Sequence, residues 1–557
     1  MPPESAMFQR QLSLRLAVCS ALLTLATAAA AQVAPAPVPS TTAAATAVQP
    51  ALPAQLQDFD AYMADTLKTF KVPGIAVAIV KDGKVVLAKG YGVRELGKPD
   101  KVDADTLFAI ASNTKAFTAA ALQMLADQGK LDMDGRVVDY LPGFRMSDPY
   151  VTHEMRIRDL LAHRSGLSLG AGDLLYWPPT SYTTADVVKR LADVPIKNSF
   201  RGHYAYDNIL FAVATLVIEK VSGQSYADYI RQHIFQPVGM DESLVDMTYL
   251  KPGMDAATGH APYDFKDVKP VPPMAWLNDP GAGGIYASVD DLAKWMNVQL
   301  AGGELPDGKR LFSEKAHREM WSMLTPIPIG KPSIPELAPL VPQFSGYGEG
   351  WFLSDYMGKK LVWHTGGWPG FVSRLTLVPG QHLGVVVLTN QESGAAFNAI
   401  TYRVLDAYLN PEHKTDWVAA YDKSVKKSEA RADDSWAKHE AARDKNAKTS
   451  LPLAGYVGTY RDPWYGDILV SSEGGKLRLR FSKTKQLVGT MTPWQHDTFI
   501  VRWDDRSLNA DAFVNFALDD DGHVREMRIR PISPMTDFSF DFQDLRPVPV
   551  KVADKQD

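Results

Sequence analysis

At 557 residues the chain exceeds the ~250–300 residues at which single cores stop growing, which predicts two folded domains of unequal size. Its 45% hydrophobic, 22% charged and 10% aromatic content excludes collagenous, coiled-coil and wholly disordered chains. With 59 Lys+Arg against 64 Asp+Glu, a formal charge of -5 and no long basic run, nucleic acid is excluded as an expected partner.

Residues 1–31 read as a cleaved export leader: Arg10 and Arg15 precede residues 16–31, an almost unbroken Leu, Ala and Val stretch ending in an alanine run. Ser20, Thr24 and Thr27 interrupt it, and it is short of the about twenty apolar residues a span needs, so no stable membrane span is expected after cleavage. The single cysteine, Cys19, falls inside this leader; the mature chain is expected to hold no disulfide, thiolate metal site or cysteine nucleophile. Residues 32–54, aperiodic and rich in Pro and Ala, read as a flexible tether.

Residues 55–410 form the first expected domain. It opens with a helix over 59–70, then GIAVAIVKDGKVVLAKGYG supplies two apolar strands about Asp82-Gly83, a dipeptide suited to the positive φ values of a tight hairpin turn. The helical patterns AFTAAALQMLADQG and NILFAVATLVIEKVSG end at Gly129 and Gly223, where glycine can take a left-handed cap. A second hairpin spans 374–390 about Pro379-Gly380. Strands at both ends with helices between predict an α+β domain, an antiparallel sheet built from the two chain ends and flanked by helices, with an inserted helical subdomain. Residues 411–450 read as a charged helical connector with Trp417, Tyr421 and Val425 on one stripe. Residues 451–548 carry the short runs GYVGTY, DILVSS, KLRLRF, TFIVRW, AFVNFAL and VREMRIR, which predict a small antiparallel β-barrel or sandwich.

Several chemical signatures fail on context. His153-Glu154 lacks the second histidine of a zinc-protease helix, and no phosphate loop is present, so no metal or organic cofactor is expected. Gly166-Leu167-Ser168-Leu169-Gly170 spells a nucleophile elbow, but the elbow needs a strand before it and a helix after it, and neither is predicted. Ser112-Asn113-Thr114-Lys115 is the better candidate. It opens an apolar helix, so serine and lysine share one face, and the helix N-terminus favours a developing oxyanion. The pairs Ser424/Lys427, Ser435/Lys438 and Ser482/Lys485 share the spacing but open no apolar helix. Only Ser112 is followed by Tyr206-Asp207-Asn208 and then His364-Thr365-Gly366. Tyr204 rivals Tyr206 but lacks its spacing to an asparagine; either could instead be a core aromatic, and the glycine pair 366–367 a turn.

In this order SNTK, YDN and HTG resemble the serine β-lactamase and penicillin-binding protein superfamily, in its class C-like branch, with LLAHRSGL, GAGGIYASVDDLAKW and GYGEGW extending the likeness over residues 55–409. The terminal β segment is similar to lipocalin-like domains appended to some members. The resemblance implies a β-lactamase/transpeptidase-like fold. It also implies Ser112 as the acylated nucleophile, Lys115 as its proton partner, and Tyr206 as the base that also protonates the leaving group. Asn208 would hydrogen-bond the substrate amide or Lys115. His364, Thr365, Gly366 and Gly367 would line a strand edge that receives substrate, the N–H groups of Ser112 and Gly367 forming the oxyanion hole. A phenol with a reference pKa near ~10 needs a lysine cation beside it to serve as base. Histidine stands at 364 where many β-lactamases carry lysine, and imidazole is largely neutral above pH ~7, which fits peptidase and esterase relatives better than an antibiotic-destroying enzyme. The expected protein is a periplasmic or secreted serine hydrolase acting through acyl-Ser112 on a small-molecule or peptide substrate. It would be D-aminopeptidase, D,D-carboxypeptidase or esterase-like, on peptides, amides, esters or β-lactams. The alternatives are a non-catalytic penicillin-binding receptor and a peptide cyclase or transpeptidase.

Overall fold

Hydrophobic parity builds the first sheet. Strand β1 (Gly74–Lys81) is buried almost throughout, and its side chains sort by alternation: Ile75, Val77 and Ile79 join one core cluster, Ala76, Ala78 and Val80 the other. Asp82 and Gly83 adopt φ values of 52° and 75° in the two-residue turn to β2 (Lys84–Gly92). The remaining strands come from the far end of the domain: β3 (Thr325–Pro326), β4 (Ser345–Tyr347), β5 (Phe352–Tyr356), β6 (Lys359–Trp368), β7 (Phe371–Val378) and β8 (Leu383–Thr389). They assemble in the antiparallel order β2-β1-β8-β7-β6-β5-β4-β3, with Ile75 opposite Thr389 and Lys81 opposite Leu383 where the chain ends meet. The computed structural model describes residues 52–550; the expected leader, and the tether as far as residue 51, lie outside the described residues.

Five helices enclose the sheet: α1 (Phe59–Thr69), α2 (Thr114–Asp127), α3 (Leu210–Ser222), α4 (Val289–Leu300) and α5 (Gly394–Leu409). Met63 of α1 and Ile400 of α5 pack with the Ile75 face; Leu122, Val213 and Leu292 of the other three pack with the Ala76 face. With helices on both faces, β1 and β8 are apolar runs rather than alternating ones. Helix α6 (Trp417–Ala441) fills most of the charged connector. Trp417 is buried with its indole N–H donating to Asp406 at 2.7 Å, and at the other end Trp436 meets Trp494 of the C-terminal sheet at 5.3 Å between centroids.

That second sheet has eight strands: β9 (Gly458–Asp462), β10 (Gly466–Glu473), β11 (Lys476–Phe481), β12 (Val488–Gln495), β13 (Thr498–Trp503), β14 (Ala512–Leu518), β15 (Val524–Pro531) and β16 (Val548–Pro549). The order is β15-β14-β13-β12-β11-β10-β9-β16, and Met527 of β15 donates its N–H to Pro547 beside β16 at 2.9 Å, so the sheet nearly closes into a barrel. Strand β12 is absent from the sequence expectation because Gly489 and Pro493 break the strand pattern. The structure accommodates the proline at a register shift between Pro493 and Gln495.

The barrel packs firmly on the first domain. Trp464, Phe540 and Phe542 belong to the same buried cluster as α2 and α3. Asp541 accepts hydrogen bonds from Gly172 N (2.8 Å) and Leu174 N (3.1 Å), and Arg190 donates to Trp464 O at 2.8 Å. No helix among the described residues is long and apolar enough to cross a membrane.

Candidate active site

The chain reaches Ser112 through a strained bend. Ala111 has a φ of 47°, a left-handed conformation that costs a non-glycine residue on the order of 1–3 kcal/mol. Ile110 N donates to Ile285 O at 3.0 Å, Ser373 Oγ to Ile110 O at 2.7 Å and Asn113 Nδ2 to Ser373 Oγ at 2.8 Å, and these bonds hold the bend. The serine then sits in a 3-10 turn (Ala111–Asn113) that runs straight into α2. One turn on, the Lys115 side chain is fully buried, and its Nζ donates to Ser112 Oγ (3.1 Å), Asn208 Oδ1 (2.8 Å) and Ala282 O (2.9 Å). Burial pushes this amine down to about 7, against the opposing pull of Asp279, Asp173 and Asp207.

The segment before α3 brings Tyr206 and Asn208 to the same point. Asn208 accepts from Lys115 and donates through Nδ2 to Asp173 Oδ2 at 3.0 Å. The Lys115 ammonium lies 5.1 Å from the centre of the Tyr206 ring, but its three hydrogen bonds go elsewhere. Burial raises the Tyr206 phenol well above its ordinary value, and a hydrogen bond from Ser112 opposes the rise. Burial thus moves the two groups in opposite directions, the Lys115 amine down and the Tyr206 phenol up. Tyr204 packs against Phe352 and Tyr347, and burial raises its phenol as well.

His364, Thr365, Gly366 and Gly367 all lie in β6, which pairs with β5 only as far as Trp363, opposite Phe352. Beyond that point the β6 edge has no strand partner on that side among the described residues, the condition for backbone pairing with an extended substrate. His364 Nε2 accepts from Tyr347 OH at 2.8 Å, and Nδ1 lies 2.6 Å from Thr365 O, which assigns the proton to Nδ1. Burial holds the ring neutral, so both nitrogens are engaged and His364 is a wall rather than a cation. The glycine pair forms no turn. A Cβ on Gly366 would stand 2.1 Å from Ile110 O, so the strand touches the serine bend there, whereas Gly367 faces open space.

A cavity of about 320 Å³ joins these groups, lined by Ser112, Tyr206 and His364, by Trp177 and Trp276, and by Asp537, Phe538 and Ser539 of the barrel. The barrel residues were not anticipated as site residues, since nothing in a strand pattern tells which loop reaches another domain. Asp173, Asp207 and His163 were also missed. Asp207 is pushed up to about 8 by burial and accepts from Ser165 Oγ at 2.5 Å, while His163 is kept neutral by burial and accepts the Asp207 N–H at 3.1 Å. The signal available was LLAHRSGL, which holds both His163 and Ser165. Ser168 lies in a loop that follows no strand and opens no helix, outside the cavity lining. Among the described residues no three His, Cys, Asp or Glu side chains converge as metal ligands would.

A serine at a helix mouth, hydrogen-bonded to a buried amine one turn away on an antiparallel α+β scaffold, defines a serine hydrolase of the acyl-transfer type. Residues 59–409 match the family described as Beta-lactamase, and the chain belongs to it. Residues 442–548 match a domain of unknown function, DUF3471. Unguisins hydrolase ungD' of Aspergillus campestris (strain IBT 28561) is 29% identical over 487 residues, covering 84% of this chain and 88% of its own. Among solved structures, the octameric penicillin-binding protein homologue from Pyrococcus abyssi aligns with a TM-score of 0.56 at 22% identity, covering 88% of this chain and 99% of its own. The D-amino acid amidase from Ochrobactrum anthropi SV3 aligns with a TM-score of 0.53 at 23% identity, covering 64% and 100%. These two structures are likenesses of fold.

Proposed function

We propose that this protein is an exported amidase or esterase that forms an acyl-enzyme on Ser112, with small substrates bearing a free amino group. The observation that carries the reading is the 3.1 Å contact between Lys115 Nζ and Ser112 Oγ inside the cavity. A neutral amine has two N–H donors and one lone pair. With the donors given to Asn208 Oδ1 and Ala282 O, the lone pair is left for the Ser112 proton. As Oγ attacks the substrate carbonyl, that proton passes to Lys115. Tyr206, held protonated, gives its own proton to the leaving nitrogen or oxygen and regains one from the Lys115 ammonium. Water then attacks the ester at Ser112 by the reverse route. The N–H groups of Ser112 and Gly367 are the proposed oxyanion hole.

The amino-group preference rests on Asp537. Its carboxylate borders the cavity, accepts the Ser539 N–H at 2.8 Å, and has no cationic partner among the described residues. An ammonium on the substrate would pair with it, and the likeness to a D-amino acid amidase supports amides of that kind. Asp537→Asn is expected to raise KM about tenfold for an amino acid ester or amide and to leave its N-acetyl counterpart unchanged. Equal effects on both would remove the preference. Tyr206→Phe should slow amide hydrolysis by about 10²-fold or more, yet spare a nitrophenyl ester, whose leaving group departs without a proton. Export is supported by residues 16–31 behind Arg10 and Arg15, and the mature N-terminus in a secreting host tests it.

Intact mass after exposure to amino acid amides, esters and β-lactams of both hands decides the reading. A transient acyl adduct with turnover supports it, a permanent β-lactam adduct without turnover points to a receptor, and no adduct with any of them rejects the acyl-enzyme.

A further inference from the structure

We infer that Ser539, carried by the C-terminal barrel, is a positioning residue of the acylation site: it holds the Asp173 carboxylate that aligns Asn208 and, through Asn208, Lys115. The inference rests on the acyl-Ser112 reading. The chain of contacts is continuous and buried. Ser539 Oγ donates to Asp173 Oδ2 at 2.8 Å, Asn208 Nδ2 donates to the same oxygen at 3.0 Å, and Lys115 Nζ donates to Asn208 Oδ1 at 2.8 Å.

The direction of these bonds is what matters. A side-chain amide has a donor end and an acceptor end, and Lys115 needs the acceptor. A neighbour that only accepts, as an ionised carboxylate does, forces Nδ2 toward itself and so turns Oδ1 to the lysine. Asp173 serves this purpose only while ionised, since a protonated carboxyl could donate to Oδ1 and let the amide flip. Burial opposes ionisation and pushes Asp173 up to about 7, while donors from Tyr176, Ser539 and Asn208 favour the charged form. Two of these donors belong to the hydrolase domain, and the third arrives from the barrel.

The loop that brings it is fixed on both sides. Asp541 accepts from Gly172 N and Leu174 N, the residues flanking Asp173, and a Cβ on Gly170 would stand 2.8 Å from Phe538 O. Phe538 also meets the Tyr206 ring edge-on at 5.9 Å between centroids. The charged and titratable groups around this chain are Asp207 and Asp279 beside Lys115, His163 and His364 across from it, and Asp537 and Asp541 on the loop itself. All four of these carboxylates are raised by burial, and both histidines are lowered by it.

The test compares full-length wild type with Ser539→Ala, Ser539→Thr and Ser539→Cys on an N-acetylated chromogenic ester, which does not call on Asp537. Ser539→Ala should lower kcat about tenfold with KM within about twofold, because Lys115 is misaligned and binding is untouched. The acid limb of the kcat profile should also move to higher pH. Without one donor Asp173 keeps its proton to a higher pH, and Asn208 holds Lys115 in line only once Asp173 is ionised. Ser539→Thr, which keeps the hydroxyl, should restore both. If Ser539→Ala does not fold, Ser539→Cys, a near-isostere with a weak donor, should show the same shifts in smaller degree. Wild-type kcat and acid limb in either variant, a change in KM alone, or a loss that threonine does not restore would overturn the inference. If wild type forms no adduct on Ser112 the underlying reading fails and this one falls with it; an adduct in wild type with a normal Ser539→Ala sinks this inference only.

Discussion

Ser112→Ala lowers kcat/KM for a chromogenic ester by at least about 10³-fold and leaves no acyl adduct at intact mass, with an unchanged melting temperature. The size of the effect follows from the lack of a substitute hydroxyl. Ser165 donates to Asp207, Ser539 to Asp173, and Thr114 Oγ accepts the Ile285 N–H, so each neighbouring hydroxyl is committed away from Lys115. Stability should hold because the serine hydroxyl lines the cavity, where removing one oxygen opens no apolar void. An adduct that persists in Ser112→Ala and maps to Ser168 would transfer the nucleophile to the loop elbow and end the present assignment.

Lys115→Arg is expected to cost about 10²–10⁴-fold in acylation, although it preserves the charge. A guanidinium does not give up its proton in the working range, so it cannot accept the one on Ser112. The pH dependence carries the sign of the argument. The working form of Lys115 is the neutral amine, and burial sets its pKa to about 7, so acylation in wild type should rise through neutral pH and level off above it. Asp173 and Asp207, pushed up to about 7 and about 8, titrate in the same window, so the midpoint belongs to the cluster rather than to the lysine alone. A wild-type profile that is flat between pH 5 and 9, or a Lys115→Arg variant that acylates at the wild-type rate, would return the base to another group. Tyr206 would then be the first candidate, and its phenol would have to ionise far below where burial holds it.

The reading from residues reached much of the first domain because its signals are local. The Asp82-Gly83 turn, the apolar run of β1 and the glycine stops of α2 and α3 each follow from side-chain shape and period. The nucleophile candidate was legible for the same reason, since residues three apart at a helix start share a face whatever the rest of the chain does. Strand β12 was not legible, because its Gly489 and Pro493 are permitted by a bulge that pattern alone does not reveal. The engagement of His364 was equally hidden. Whether an imidazole is free or spent depends on Tyr347, a residue whose placement opposite it is a matter of strand register across the sheet.

Helix starts, turns and alternating strands are decided within a few residues of chain, and so the order of amino acids by itself determined the two-part architecture and the serine–lysine pair that opens α2. Which group near Ser112 is left without its proton is decided by burial and by how many donors and acceptors surround it, and those come from Asn208, Ala282, Asp173 and a loop of the barrel more than 400 residues further along the chain. Only the packed structure brings them together, since the free energy of a buried charge depends on neighbours in space and is indifferent to their distance in sequence.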